Sequence, residues 1–375
     1  SRGLGDVYKR QEHTLSEYLE FKNGLNPDAK RIGSGLPFIS VMDILSEGVI
    51  NYDNIRGKVN ATEKEIECFG VKDGDLLFQR SSETLEDVGR ANVYMDNRTA
   101  IYGGFVIRGR KIGNYDPLFF KYLLATPLAR KRTCRMGAGA QHFNIGQEGL
   151  SKISLYFPSI EEQRKIAGFL SLIDERIATQ NKIIEDLKKL KSAISLKMLH
   201  SDSWKQFKIK DIASIGRGRV ISSVEISQQD NPLYPVYSSQ TSNEGIMGYL
   251  DNFMFEGEYI NWTTDGANAG TVFYRDGKFN CTNVCGLLKL GDEFDTYFVS
   301  LVLAEATKKY VSTNLANPKL MNNTMGSIQI RLPKLKEQKR ISIAFRKLRE
   351  LLEVHNSLLT EYSKLKQYLL SQMFI

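Results

Sequence analysis

One stretch of 48 residues occurs twice in this chain without a gap. Setting Pro158 on Pro333 brings Glu162 onto Glu337, Gln163 onto Gln338, Ile166 onto Ile341, Glu175 onto Glu350 and Asn181 onto Asn356. The triplet Lys189–Leu190–Lys191 then meets Lys364–Leu365–Lys366, and Met198 meets Met373. An ungapped match of this length marks a duplicated structural unit. Each copy opens with a strand-like run ending in proline, "ISLYFP" or "IQIRLP", and passes into a charged start, "EEQRKIAGF" or "KEQKRISIAF".

The segment after each proline has the period of a coiled coil. In the first copy the apolar seam is Ile166, Leu170, Ile173, Ile177, Gln180, Ile184, Leu187, Leu190, Ile194 and Met198. In the second it is Ile341, Phe345, Leu348, Leu352, His355, Leu359, Tyr362, Leu365, Leu369 and Met373. Steps of three and four alternate, which predicts two long amphipathic helices. At about 38 residues each they are about 57 Å long. Each stripe needs cover, and the natural cover is the other copy; the plainer outcome is that each helix packs only on its own domain.

The repeat continues upstream in weaker form. "GLPFISVMDILSEGVI" from Gly35 parallels "LYPVYSSQTSNEGIMG" from Leu233, "DGDLLFQRSS" from Asp73 parallels "EGEYINWTTD" from Glu256, and "DPLFFKYLL" from Asp116 parallels "DTYFVSLVL" from Asp295. Short β-rich runs precede one helix in each copy, "DPLFFKYLLATPLARKR" and "DTYFVSLVLAEATKKYV". The expected fold class is therefore α+β: two mixed α/β domains joined by two long antiparallel helices about a pseudo-two-fold axis. The expected boundaries are 1–152 for the first domain, 153–200 for its helix, 201–332 for the second domain and 333–375 for its helix. Residues 1–11, "SRGLGDVYKRQ", begin without methionine and read more like translated adapter sequence than protein. They are set aside, and the first domain is expected to lack its opening strand.

Charge narrows the partners. The net charge is +8 and the pI about 9.1, which favours a polyanion, nucleic acid first. No apolar run is long enough to cross a membrane. The cysteines Cys68, Cys134, Cys281 and Cys285 are few and irregularly spaced, which suits a reducing cytoplasm. Cys281 and Cys285 lack the further ligands that a zinc site needs and read as small residues in a strand pair. A glycine-rich cofactor loop opening a helix and a GxxxxGK[ST] motif are both missing, and "RIGSG" at Arg31 reads as a plain loop. His13, His142, His200 and His355 have no triad or metal spacing. Asp73 and Asp75 in "KDGD" fit a loose nuclease motif but equally an ordinary hairpin.

In this setting the sequence resembles the specificity subunit of type I restriction–modification systems. The resemblance rests on "LPFISVMDI", "FPSIEEQRKIAGFLSLIDERI", "INWTTDGANAG" and "LPKLKEQKRISIAF", in that order, and covers about Glu12 to Ile375. It implies two target recognition domains, each reading one half of a bipartite site in double-stranded DNA. It implies helices that dock two methyltransferase subunits, nuclease and translocase subunits that join the full complex, and no cofactor or catalytic site in the chain itself. A specificity half of a fused methylase–nuclease fits the same residues. So does a two-domain scaffold that binds no DNA.

Base edges are read by Arg, Asn, Gln, Ser and Thr, and phosphates are held by Lys and Arg. The base-reading candidates are Gln79, Arg80, Ser81 and Ser82 in the first domain, with Gln141 in a later loop where Gly137 and Gly139 permit close approach. In the second domain they are Thr263, Thr264 and Asn268. Any of these also suits an ordinary turn. The phosphate candidates are Arg130, Lys131, Arg132, Arg135, Arg217, Arg219 and Lys319; cations such as the first four also favour a helix C-terminus for its dipole alone.

Both seams are apolar except at one shared position, Gln180 in the first helix and His355 in the second. Full antiparallel overlap makes these midpoints coincide, although a parallel pairing would bring them level too. A polar pair at one seam position can fix register at some cost in stability; the other outcome is that each tip reaches solvent. Replacing either residue alone with leucine should destabilise the chain by about 1–3 kcal/mol, because the remaining partner is orphaned. Replacing both should restore or raise stability. A double-mutant cycle by chemical denaturation checks this, and additive effects would show that the residues do not meet.

Overall fold

The computed structural model describes residues 11–312 and 317–374. Residues 1–10 and the middle of "STNLANPKL" fall outside the described residues. The chain divides into two units: one runs to Lys182 and includes Asn356 onward, and the other is Ile183–His355. Each holds one mixed domain and about half of each long helix.

The first unit has an antiparallel sheet of Leu19–Asn23, Val106–Lys111, Leu76–Gln79 and Ala91–Val93, in that order. A second sheet sets Ile32–Ile39 antiparallel to Gly57–Val59 and parallel to Ile101–Tyr102. The second unit repeats both. Its first sheet is Ala213–Arg217, Cys285–Leu290, Tyr259–Thr263 and Val272–Arg275, in that order. Its second sets Tyr234–Tyr237 antiparallel to Ile246–Leu250 and parallel to Lys278–Cys281. Cys281 and Cys285 are buried, free thiols, but not in a strand pair: Cys281 ends a strand of the second sheet and Cys285 begins a strand of the first.

The long helices span Ile160–Met198 and Leu335–Met373. In the first unit Ile166, Leu170 and Ile173 join the domain core together with Leu369, Leu370, Met373 and Phe374. Asp174 also pairs with Lys366 at 2.5 Å, and Phe374 stacks obliquely on Phe119 with ring centroids 5.2 Å apart. In the second unit Ile194, Met198 and Leu199 share a core with Ile341 and Phe345. The start of one helix thus packs with the end of the other, so the two run antiparallel. The seam is displaced at one point. Leu190 and Leu365, at matching positions, are 48% and 42% exposed, whereas Ile194, Met198, Leu369 and Met373 beyond them pack against the cores.

Other expectations change with the structure. The first domain does have an opening strand: Gln11–Thr14 pairs antiparallel with Ser154–Phe157, as Lys205–Lys208 does with Gln329–Leu332. "RIGSG" is not a free loop. Gly33–Gly35 lie inside the strand Ile32–Ile39 at a register shift, where both Ile32 and Leu36 pair with Val59. Gly35 has φ +98°, and a Cβ there would sit 2.4 Å from the Val59 carbonyl oxygen, so only glycine fits. "DPLFFKYLLATPLARKR" forms two helices, Pro117–Ala125 and Pro127–Cys134. Pro127 has no N–H to continue the first helix, and Thr126 Oγ1 caps the second by accepting from the Ala129 amide at 3.3 Å.

The glutamine of the repeated motif joins domain to helix. Gln163 Oε1 accepts the Asp116 N–H at 3.0 Å, and its Nε2 donates to the Pro158 carbonyl at 2.9 Å. Asp116 in turn caps the helix Pro117–Ala125 by accepting the Phe119 amide at 2.8 Å. Gln338 repeats this with Asp295 at 3.0 Å and Pro333 at 2.8 Å, and Asp295 caps at Phe298. Both glutamines are buried. Gln163→Leu or Gln338→Leu leaves one backbone donor and one acceptor unsatisfied and should destabilise its unit by about 1–3 kcal/mol. Urea denaturation followed by tryptophan fluorescence for the second unit and by circular dichroism for the whole chain reads this directly. An unchanged midpoint in either variant would refute the clamp.

Candidate nucleic-acid interface

In the first unit the chain leaves the strand Leu76–Gln79, turns at Arg80 and enters the short strand Ser81–Ser82. Ser81 and Ser82 pair antiparallel with Asn144 and Phe143, and the Ile145 N–H donates to the Arg80 carbonyl at 3.0 Å. Ala138 and Asn144 exchange two backbone bonds of 2.9 Å, closing a hairpin that carries exposed Gln141. Gly139 makes that turn possible, since a Cβ there would lie 2.0 Å from the His142 carbonyl oxygen. The two first-domain loops singled out by the sequence are therefore one structure.

The second unit builds the same junction. Leu320 N–H donates to the Thr264 carbonyl at 2.8 Å, Asp265 bridges Lys319, and Ser312 N–H donates to the Lys319 carbonyl at 3.1 Å. Asn268 is exposed on the connecting turn, where its carbonyl accepts from the amide and hydroxyl of Thr271.

These bonds give the register between the copies. The Arg80 amide donates to Phe105 as the Thr264 amide does to Val284, and the Gln79 amide donates to Arg90 as the Thr263 amide does to Thr271. Gln79 therefore matches Thr263, Arg80 matches Thr264, and Ser81–Asn144 match Asp265–Lys319. The ungapped alignment of "DGDLLFQRSS" with "EGEYINWTTD" puts Gln79 on Trp262 and is off by one residue. In a strand, one residue reverses the face that a side chain occupies.

Burial separates bracing residues from accessible ones. Gln79, Thr263 and Thr264 are 5%, 1% and 2% exposed. Gln79 Nε2 donates to the Ser81 carbonyl at 2.9 Å, and Thr264 Oγ1 donates to the Val284 carbonyl at 2.9 Å. Gln79 Oε1 is buried with no partner among the described residues. Arg80, Ser81 and Ser82 are half-buried; the Ser81 hydroxyl donates to Asn144 Oδ1.

The cations divide in the same way. Lys131, Arg135, Arg217 and Lys319 are accessible to solvent. Arg130 is turned inward: one terminal nitrogen donates to the Glu86 and Val88 carbonyls at 2.8 and 2.6 Å, holding the segment that follows Ser82. Burial pushes its pKa below the usual guanidinium value. Arg132 is spent on Glu12 at 2.9 Å and on the hydroxyl and carbonyl of Ser154. Arg219 is paired with Glu225, which raises its pKa. Arg217 Nε donates to Asn322 Oδ1 at 3.0 Å, near the Lys319 loop. Asp75, the inner carboxylate of "KDGD", is 1% exposed, accepts from the Lys72 amide at 2.9 Å and forms an ion pair with Arg110, Nε to Oδ2 3.2 Å.

Two bracing residues carry no signal in the sequence. Trp262 Nε1 donates to the Leu320 carbonyl at 2.8 Å, pinning the Lys319 loop. Arg275 donates to Asn261 Oδ1 at 2.8 Å and to the Glu244 carbonyl at 2.6 Å, and its guanidinium lies 3.6 Å from the Tyr237 ring centre. It thereby holds a turn in which Asn243 and Glu244 adopt φ of +49° and +50°. The Asn-Glu-Gly sequence there is a turn signal; nothing local marks Arg275 as its support.

Comparison with known proteins gives a consistent result. A Mycoplasma pneumoniae protein provisionally named a type I specificity subunit is 36% identical over 206 residues, covering 53% of this chain and 85% of that one. The specificity subunit of the MpnII type I restriction enzyme, also from M. pneumoniae, is 42% identical over 147 residues, covering 38% of this chain and 44% of that one. The crystal structure of a type I restriction–modification S subunit from M. genitalium shares the fold, with a TM-score of 0.70 at 16% identity over 98% of this chain and 96% of that one. The type I restriction modification DNA specificity domain matches twice, at residues 10–189 and 201–362, and the chain belongs to that family.

Proposed function

We propose that this chain is the DNA-reading subunit of a type I restriction–modification complex, with each domain reading one half of a bipartite site in double-stranded DNA. The observation that carries this reading is the duplicated junction. The same two loops are joined by the same backbone bonds in both units, yet the matching residues differ: Arg80, Ser81 and Asn144 in one, Thr264, Asp265 and Lys319 in the other. A constant frame with exchanged side chains suits two readers of different sequences. Exposed Gln141 and Asn268, with half-buried Arg80, Ser81 and Ser82, supply base contacts. Lys131, Arg135, Arg217 and Lys319 hold phosphates. The chain contributes recognition, and methylation and cleavage belong to its partner subunits.

The long helices dock the methyltransferase subunits in this reading. Phe169 and Leu172 in the first unit and Ile343, Leu351 and Val354 in the second are apolar and exposed, as an interaction surface requires. Nuclease and translocase subunits complete the assembly, in the cytoplasm. Gln180 is buried and His355 half-buried. Among the described residues no helix is long and apolar enough to cross a membrane.

Replacing residues 201–332 with the matching domain of another family member should change one half of the methylated site and leave the other half intact. Sequencing methylated genomic DNA from cells carrying each version gives the answer; a change in both halves, or in neither, ends the modular reading. Affinity should fall steeply with salt as counterions are released. Lys131→Ala, Arg135→Ala and Lys319→Ala should each weaken binding to all sequences alike and flatten the slope of log K against log salt by about 1. Arg132→Ala should leave the slope unchanged and lower stability, because that guanidinium is already engaged. Binding indifferent to salt would favour a scaffold that does not bind DNA.

A further inference from the structure

Beside the first unit's reading loop lies a groove rimmed by exposed apolar side chains. Phe105 is 68% and Met42 71% exposed, and Ile32 is also exposed. With Asn26, Pro27 and Phe38 they line a space of about 400 Å³. Contiguous exposed apolar side chains on a folded domain mark a contact surface. The groove is continuous with the reading loop. The Phe105 carbonyl accepts the Arg80 amide at 2.9 Å, and the Arg80 guanidinium donates to the Gly104 carbonyl at 3.3 Å.

The second unit provides an internal control. Its equivalent of Phe105 is half-buried Val284, whose carbonyl takes the Thr264 amide at 3.2 Å. Ile39 and Tyr237 occupy the same strand position, each accepting the amide that follows the parallel strand. Beyond that position the copies diverge: Met42 lies in the short helix Val41–Ile44, whereas the chain after Tyr237 runs into the turn Ser242–Gly245. The backbone bond made at Phe105 is thus made at Val284 without an exposed aromatic ring. The ring of Phe105 is therefore not needed for that pairing.

We propose that Phe105 and Met42 read the C5-methyl group of thymine in the half-site bound by the first domain. This rests on the DNA-reading function above and assigns its chemistry. The thymine methyl is the one apolar feature that base edges present in the major groove, and apolar side chains recognise it by excluding water from it. Arg80, bonded to the same turn, places guanidinium donors beside it for a neighbouring guanine or phosphate. The second domain has the smaller, half-buried Val284 in place of Phe105, so the contact made by the Phe105 ring belongs to the first half-site.

The test uses the chain assembled with its methyltransferase subunits and the target read from methylated genomic DNA. Each thymine of the target is replaced in turn by deoxyuridine, which removes only the methyl. At least one replacement in the first domain's half-site should weaken binding about fourfold, the worth of one buried methyl group, and none in the other half-site should act through these residues. Phe105→Ala, or Met42→Gln with Phe105→Val, should bind thymine and uracil duplexes equally while keeping the discrimination of the second half-site. A first half-site without thymine, or one indifferent to uracil in the wild-type complex, overturns the proposal while leaving bipartite reading intact. If the variants lose methyltransferase association and keep thymine sensitivity, the groove is a protein contact and the proposal is also overturned. A wild-type complex that binds no bipartite duplex defeats the DNA-reading function itself.

Discussion

One buried amide per unit holds together the strand that ends each domain, the long helix that follows it and the short helix on the sheet. A primary amide donates and accepts at once. Gln163 therefore takes the Asp116 N–H and gives to the Pro158 carbonyl, and Gln338 does the same with Asp295 and Pro333. A carboxylate could not donate to the proline carbonyl, and an ammonium could not accept the backbone N–H. The second unit adds a bond from the Ser342 hydroxyl to Asp295 Oδ1, where the first has Ala167. With the helix entry fixed, the Leu170 and Phe345 turns fall onto their sheets and the loops are held at set positions.

The loops themselves are built from bonds that ignore their side chains. Backbone pairing of Ser81 with Asn144 and of Asp265 with Lys319 needs no particular residue at those positions. The demanding positions lie one step deeper, at Gln79, Thr264 and Trp262, whose buried side chains donate to the backbone carbonyls of Ser81, Val284 and Leu320. Variation at the surface and constraint beneath it therefore coexist within a few residues of chain.

Much of this was legible in the sequence, for identifiable reasons. The duplicated helices, the mixed domains and the pairs of loops follow from periodicities that survive without knowledge of packing. The matching of Gln79 to Thr263 was not legible. The two copies of that strand differ in which residues are polar, so a one-residue offset aligns as well as the true register, and only the backbone bonds to Phe105 and Val284 decide it. Leu190 and Leu365 look like seam residues by spacing, yet both are exposed. Arg130 and Arg132 look like free cations because the carbonyls of Glu86, Val88 and Ser154 that engage them lie far away in the chain. Arg275 is hidden for the same reason.

Phe374 has a consequence for how the protein is made. It is buried against Phe119 in the core of the first unit, alongside Leu369, Leu370 and Met373. The first domain leaves the ribosome early, but these side chains are among the last of the described residues to be synthesised. At about 5–20 residues per second, Phe119 waits roughly 10–50 s for the ring that covers it. During that interval the nascent first domain carries an open apolar face, and it closes only when the second domain has already been translated. The domain made first is thus completed last.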